Sequence, residues 1–419
     1  LLQILHNEQG KLPKGTARDY PLFPNRGFML DVARKFFTMD YLKQYVKILS
    51  FYKMNEFQIH LNDNGFPQFF GDDWNRTYAA FRLESERFPG LTAKDGSYSK
   101  QEFIDLQRMG LEYGVRIIPE IDIPAHSLAF AHYKPEIASR KYGMDHLDLY
   151  KKETYQFVDS LLDEYLSGDN PVFIGDLHIG TDEYNKKEAE QYRYFTDRYL
   201  KFVEKYGKNV RMWGGLKWLP GKTPVKAEGV TVNAWSYDWV DPVVSLQEGY
   251  KLINTCDTYL YIVPAAGYYR DFLDHQWIYE KWSPWIMNRK QTLPEGTPGV
   301  LGGMFAVWND KCGNGISEQD VHLRSFPAMQ VLAEKLWKGE NKNVTYEAFA
   351  KLCKTTPEAP GINLLGKVPA ETALTEAGKE LSFNGKEAVS TPLQEVGYPY
   401  SVEFQLCPEK TNPISSILF

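Results

Sequence analysis

The sequence predicts an α/β fold: a (β/α)8 TIM barrel with a short N-terminal extension and a partial β-rich segment at its C-terminal end. Two observations predict it. Short apolar runs alternate with amphipathic stretches through the middle of the chain, and that alternation implies parallel strands joined by crossover helices. Eight such runs can be counted over residues 26–308, and no Gly-rich phosphate loop follows an early one. The doubly wound sheet, the main rival, usually carries that loop.

Residues 1–24 read as the tail of an upstream element. Arg26–Val32 is the first strand. Leu42, Tyr45, Val46 and Leu49 then recur at helical spacing, which predicts a helix over 39–53. Glu56–Leu61 is the second strand. Residues 62–98, rich in Asp, Gly, Asn and aromatics, form an insertion too long for a plain turn and expected on the active-site face. A helix over 99–114 and a strand over Val115–Ile121 follow. Val158, Leu161, Leu162 and Tyr165 mark a helix over 151–166. Pro171–Ile179 is the fourth strand and 184–206 the next helix. Asn209–Trp213, Val230–Trp235, Tyr250–Thr255 and Val300–Trp308 are the remaining strands, and a helix over 319–338 closes the series. The barrel spans 25–345. Residues 346–370 read as a helix and linker, and 371–419 as the start of a β-rich module of the β-sandwich kind. Leu1 is not a Met and the chain stops at Ile-Leu-Phe419, so it reads as part of something longer.

Composition narrows the function. Among 419 residues stand 10 Trp, 27 Tyr and 24 Phe, too many for a disordered chain. Lys and Arg number 48 against 54 Asp and Glu, with no basic block, so no nucleic-acid partner is expected. No apolar run reaches the roughly 18–20 residues of a span, which argues against membrane insertion. Cys256, Cys312, Cys353 and Cys407 are far apart and form no CxxC pair. His126 and His132 are not spaced as metal ligands, and His60, Asp63 and His178 come from different strands. With no HExxH motif, neither metal nor cofactor is expected.

Catalytic groups of such barrels stand at the C-terminal ends of strands. There the sequence places His60-Leu-Asn-Asp63, Pro119-Glu-Ile-Asp122-Ile-Pro-Ala-His126 and His178-Ile-Gly-Thr-Asp182-Glu183. Later strands end in Trp213, Trp235, Asp257-Thr-Tyr259-Leu-Tyr261 and Trp308-Asn-Asp310. Carboxylates beside indoles suit a glycosidase: an acid protonates the leaving oxygen, a second group stabilises the cationic sugar, and aromatic faces stack on the ring. Asp182 and Glu183 are adjacent, which does not suit an ordinary retaining pair. Either they open the following helix as a solvated acidic pair, or one donates a proton while the other holds a substrate group that acts as nucleophile.

The string His178-Ile-Gly-Thr-Asp182-Glu183 resembles the signature of glycoside hydrolase family 20, the β-N-acetylhexosaminidases. Arg26-Gly-Phe-Met-Leu-Asp31-Val-Ala-Arg34 is similar to the family's first strand, and the His60, Asp122–His126, Trp213, Trp235, Tyr259 and Trp308 motifs follow in its order over about residues 23–340. The resemblance implies retaining, exo-acting release of terminal β-linked N-acetylhexosamine through an oxazolinium ion. Glu183 would be the general acid/base with a raised pKa. Asp182 would orient the acetamido group, and Tyr259 would hydrogen-bond its carbonyl. Arg26 would grip sugar hydroxyls, with an ion-pair role as its alternative. Trp213, Trp235 and Trp308 would wall the sugar. Asp63 and His126 would tune Glu183, and Asp122 and His178 would support them. Two positions depart from the family wording: Asp310 replaces a Glu, and Tyr261 stands where an Asp is common. Both usually contact outer hydroxyls, so release of a disaccharide, as by lacto-N-biosidases, is the second expectation. A non-catalytic carbohydrate-binding barrel is the third. Oligosaccharides or glycoconjugates are the expected partners, met outside the cell or on its surface as part of a larger modular protein. The oligomeric state is left open.

Overall fold

In the computed structural model, the period of two along each strand decides what the barrel encloses. The second strand reads Glu56-Phe-Gln-Ile-His60. Phe57 stacks on Phe28 (5.3 Å), which in turn meets Tyr45 of the next helix, so the odd-numbered residues face the helical layer. Glu56, Gln58 and His60 point the other way, into the barrel, and all three are fully buried. This strand therefore lines the barrel interior with polar groups rather than apolar ones.

The structure describes residues 2–7, 10–12, 14–368, 372–375, 381–382, 388–393, 396–397 and 400–403. The barrel strands are β1 (Asn25–Asp31), β2 (Glu56–His60), β3 (Arg116–Glu120), β4 (Leu177–His178), β5 (Val210–Trp213), β6 (Val230–Ala234), β7 (Lys251–Asn254) and β8 (Val300–Val307). They are parallel and pair in chain order, and β8 returns to β1, which closes the eight-stranded barrel. A two-residue strand, Tyr261–Ile262, pairs with the end of β8. Helices α1 (Met39–Phe51), α2 (Lys100–Glu112), α3 (Lys152–Leu166), α4 (Ala189–Glu204), α5 (Pro242–Glu248) and α6 (Glu318–Lys338) follow β1, β2, β3, β4, β6 and β8. Their starts are written in the sequence. Thr38 caps α1, and Ser99 with Glu102 and Ser317 with Asp320 form capping boxes, each cap contributing about 1 kcal/mol.

All eight expected strands are present, with one shortened. Pro171–Ile179 was read as the fourth, but only Leu177–His178 pairs. Ahead of it, the Ile174 N–H donates to the Gln107 side chain (3.1 Å) and the Ile174 carbonyl accepts from Lys208 (3.0 Å), so side chains take the place of a neighbouring strand. No helix stands between β5 and β6. Gly214, Gly215, Pro220, Gly221 and Pro224 interrupt that stretch. The 62–98 insertion folds back as an antiparallel pair, Asn62–Asn64 with Ala79–Phe81. Its anchor is the buried Arg82, which donates to the Val32 and Ala33 carbonyls and pairs with Asp95.

At the N-terminal end of the barrel, Glu56 accepts from both guanidinium nitrogens of Arg211 (2.6 and 2.8 Å), from Arg116 and from Asn25. Four strands are tied there through one carboxylate. The first compact unit runs from Leu1 to Ile362 and includes a further helix, α7 (Tyr346–Thr355). The second runs from Asn363 to Phe419. The β-rich segment expected over 371–419 falls largely outside the described residues, and those described there carry no strand. No helix among the described residues is long and apolar enough to cross a membrane.

Candidate active site

The C-terminal ends of β2, β3 and β4 bring His60, Glu120 and His178 to one level, and the loops beyond them carry the acids. His60 Nδ1 lies 3.0 Å from Glu120 and its Nε2 2.8 Å from Asp63. Asp63 pairs in turn with Arg34 (2.8 Å) and with His126 Nδ1 (2.9 Å). Glu120 accepts from the Trp213 indole (2.6 Å) and from Gln58 (2.7 Å). The result is a buried chain of alternating charge. Burial opposes ionisation in every member, but the neighbouring charges outweigh it. Asp63 is held far below the usual carboxylate range, Glu120 is lowered to about 2, and His60 and His126 are raised well above the usual imidazole value. His178 differs: burial lowers it to about 4 and keeps it neutral, so its Nδ1 can accept the Gly180 N–H (3.1 Å).

His126 reaches the acid pair from the far side. Its Nε2 stands 3.4 Å from Glu183 and 3.8 Å from Asp182. The two acids occupy different environments. The Asp182 side chain is 10% exposed and that of Glu183 48%. Burial, with the charge of Glu183 beside it, raises Asp182 to about 6 against the pull of His126. Asp122 is raised further by burial and then by the charge of Asp182. Asp182 Oδ1 and Asp122 Oδ2 are both buried without a hydrogen bond as carboxylates, and a proton held between them satisfies both. Glu183 departs from its expected direction. Burial favours its neutral form, but the hydrogen bond and charge of His126 outweigh that and lower it.

The backbone carrying these acids is strained. His126, Thr181 and Glu183 have φ of 53°, 83° and 51°, rare for residues with a Cβ. Gly180 makes the turn possible: with φ 67°, an added Cβ would stand 1.7 Å from Asp122 Oδ1. Asp122 in turn accepts the Thr181 N–H at 3.1 Å.

Not every expected residue arrives. Arg26 stands at the opposite end of β1. Its guanidinium donates to the carbonyls of Lys53 (2.7 Å), Phe23 (2.7 Å) and Pro24 (3.3 Å) and covers Trp337, so it is a structural residue there. Arg34 occupies the mouth instead, buried between Asp31, Asp63 and Asp310. Tyr259 is also displaced. It lies on the helical turn Asp257–Leu260 with its ring stacked on Trp277 (4.4 Å). Two residues on, Tyr261 is buried against Trp308 (5.8 Å) and Tyr269 (5.6 Å), and its hydroxyl is pushed up by burial, by Tyr269 and Asp257, and by the charge of Asp182. Trp213 packs on Trp308 (5.6 Å) but is fully buried, so it supports the floor rather than walling an open pocket. Trp235 joins a separate run of indoles through Trp239 (5.5 Å). Asp310 pairs with Arg34 (3.4 Å) and accepts from Tyr268 (2.7 Å). Arg34, Tyr268 and Tyr269 were missed; Arg34 was visible in the first-strand string, while the tyrosines carry no spacing signal.

Spacing showed no metal-ligand cluster, yet the fold draws three together: Asp31, His60 and Asp63; His60, Glu120 and Asp122; Asp122, His126 and Asp182. In each, one candidate ligand atom per residue lies within 4.8 Å of the others. In the first, Asp63 already answers Arg34, and His60 faces a carboxylate through each ring nitrogen. Internal ion pairing accounts for the groups of that first cluster.

The pattern of the glycosyl hydrolase family 20 catalytic domain matches residues 23–340. The chain belongs to glycosyl hydrolase family 20. Its relatives include a "Beta-hexosaminidase subunit B2" of Dictyostelium discoideum, 27% identical over 382 residues, which cover 80% of this chain and 60% of that protein. A "Beta-hexosaminidase" of Akkermansia muciniphila is 28% identical over 263 residues, 54% of this chain and 50% of that protein. The chain thus spans less than two thirds of the length of either relative. A Bacteroides fragilis β-N-acetylhexosaminidase has a similar fold, with TM-score 0.64 and 21% identity over 80% of this chain and 70% of that one. A family 20 β-N-acetylhexosaminidase of Streptomyces coelicolor gives 0.62 and 22% over 80% and 68%.

Proposed function

We propose that this family 20 barrel is an exo-acting retaining glycosidase that releases a terminal β-linked N-acetylhexosamine by substrate-assisted catalysis. The observation that carries the reading is the contrast between the adjacent acids: Asp182 is buried against Asp122, while Glu183 is half exposed at the mouth.

Asp182 accepts the acetamido N–H, and Tyr261 supplies the hydroxyl that holds the acetamido carbonyl. That contact favours the Asp182 anion and leaves the shared proton on Asp122, while Glu183 takes up its own proton from solvent as the sugar binds. The sugar also displaces solvent from Glu183, and desolvation favours its neutral form. Glu183 then protonates the leaving oxygen as the acetamido carbonyl attacks the anomeric carbon. Asp182 stabilises the positive charge of the oxazolinium ion. In the second half, Glu183 takes a proton from water, whose oxygen opens the ring and restores the acetamide. Arg34 and Asp310 face the outer hydroxyls, and His126 returns Glu183 to its ionised state after turnover.

Release of p-nitrophenol from its β-N-acetylglucosaminide tests the reading. Glu183→Gln should lower turnover roughly 10²–10⁴-fold, and a thiazoline mimic of the oxazolinium ion should bind far more tightly than the product. Near-native turnover in the variant, or weak thiazoline binding, would overturn it. The shorter acid at Asp310 favours a second reading, release of a disaccharide, and activity on the β-lacto-N-bioside derivative alone would establish that. A folded chain active on neither would instead be a carbohydrate-binding barrel. Because its substrates are glycans, we place the protein outside the cell or on its surface; finding it only in the cytosol on fractionation would reverse that placement.

A further inference from the structure

An aromatic run leaves the barrel mouth on the side of β5 and β6. Trp235 starts it, its indole N–H donating to the Gly214 carbonyl at the end of β5 (2.9 Å). Trp239 follows at 5.5 Å and Trp218 at a further 5.2 Å, with ring planes tilted by 31° and 34°. Exposure rises outward: Trp235 is buried at 6%, Trp239 is half-buried, and Trp218 is 37% exposed. The run ends beside the loop that carries Glu183, because Lys186 Nζ stands 4.7 Å from the Trp218 ring centroid. It therefore lies on the side from which Glu183 would protonate a leaving group.

Positive charge collects on this shelf. Lys217 and Lys290 lie 3.5 and 4.3 Å from the centroid of one ring, Tyr237. Among the described residues, no carboxylate comes within 4.0 Å of Lys186, Lys217 or Lys290. Of the acids on the neighbouring loop, Asp241 caps α5 and Asp238 is exposed. The whole chain carries −6, so a local excess of ammonium groups over aromatic faces runs against its average. Lys217 also donates to the Tyr237 carbonyl, and the repulsion between two ammonium groups near one ring is offset when an anion binds beside them.

We propose that Trp218, Trp239 and Tyr237, with Lys186, Lys217 and Lys290, form a subsite for the leaving-group side of an anionic glycan. The ligand carries a sulfate ester or a carboxylate on the first or second sugar beyond the cleaved bond. Indole and phenol faces take the apolar faces of the rings, and the lysines act as point charges toward the anion. The proposal rests on the glycosidase reading above.

The test compares kcat/KM at low salt for chitotriose, for chitotriose 6-O-sulfated on its two reducing-side sugars, and for the trisaccharide GlcNAc-GlcA-GlcNAc. p-Nitrophenyl β-N-acetylglucosaminide serves as the short reference. The native chain should favour one anionic trisaccharide over chitotriose by about tenfold, which identifies sulfate or carboxylate, and 0.5 M salt should erase the preference. Lys217→Ala with Lys290→Ala should abolish it. Trp218→Ala should weaken all three trisaccharides several-fold. Both variants should keep the reference rate within twofold. No preference in the native chain, a preference that survives loss of the lysines, or an equal loss on the reference would each overturn the subsite. If even the reference is not cleaved, the glycosidase reading fails by itself. Calorimetric binding of the same trisaccharides then decides: binding lost in Trp218→Ala supports the subsite, and no binding to the native chain overturns it.

Discussion

Arg26 and Arg34 stand in one string, and only geometry tells them apart. A parallel strand of seven residues spans about 20 Å, so its two ends serve different faces of the barrel. Strand direction alone puts Arg34 at the mouth, among Asp31, Asp63 and Asp310, and Arg26 at the closed end. Arg34→Met should raise KM for the p-nitrophenyl glycoside at least tenfold, since it removes a buried cation from between Asp31, Asp63 and Asp310. Arg26→Met should leave KM unchanged and lower only the melting temperature. Asp182 gives a second contrast. Its pKa is raised to about 6 in the folded chain, above its unfolded value, so its ionisation costs stability as pH rises through that range. Asp182→Asn should therefore stabilise the fold at pH 7, by about 3 kcal/mol at most, while abolishing most activity. The gain should shrink by more than half at pH 4.5, and melting curves at the two pH values check it. No sequence pattern could assign this split, because it arises from Asp122 and His126, which other strand ends deliver.

Helical spacing wrote α1 and α3 plainly, side-chain caps mark the starts of α1, α2 and α6, and the strand runs were nearly as clear. Legibility failed where side chains or short turns replaced regular pairing. The start of β4 was misread because Gln107 and Lys208 satisfy backbone groups that a sequence assigns to a strand. Tyr259 lies on the turn Asp257–Leu260 with its ring on Trp277, and the buried Tyr261 two residues on is the one that feels the charge of Asp182, a difference that no spacing signals. The loop after β4 is the element on which the proposed chemistry depends most, and Gly180 is its hinge point. Gly180→Ala would force a Cβ into Asp122 at positive φ. It should cost about 3 kcal/mol or more and lower kcat well beyond what the lost stability explains, as single-turnover rates on the folded fraction would show.

Across the whole molecule the two ends of the barrel divide their tasks. The closed end is tied by Glu56 to Arg211, Arg116 and Asn25, and the open end holds the acids and aromatics. Glu56→Ala should cost about 3–5 kcal/mol, because it leaves the buried Arg211 with only Asp176 as a carboxylate partner and unties Asn25 and Arg116. The folded fraction should keep its kcat, as denaturant curves and rates measured together would reveal. The paired charges inside the barrel could be foreseen in part from the alternation in Glu56-Phe-Gln-Ile-His60. Which acid would meet which base could not, since their partners lie tens to hundreds of residues away and only closure brings them together.

The seam of that closure has a consequence for synthesis. Asp31 accepts the Asn309 N–H (3.0 Å) through its carboxylate and the Asn309 side-chain amide (2.7 Å) through its carbonyl, and the same carboxylate accepts the N–H groups of Ala33 and Arg34. The first and last barrel strands are thus clasped at the mouth, beside Arg34 and Asp310. A ribosome must make nearly the entire barrel before this clasp can form. Until then Arg34, Asp63 and His60 have no closed wall to shelter them. Assembly of the sugar-facing end is necessarily a late event, and an emerging half-barrel depends on whatever holds it until its final strand arrives.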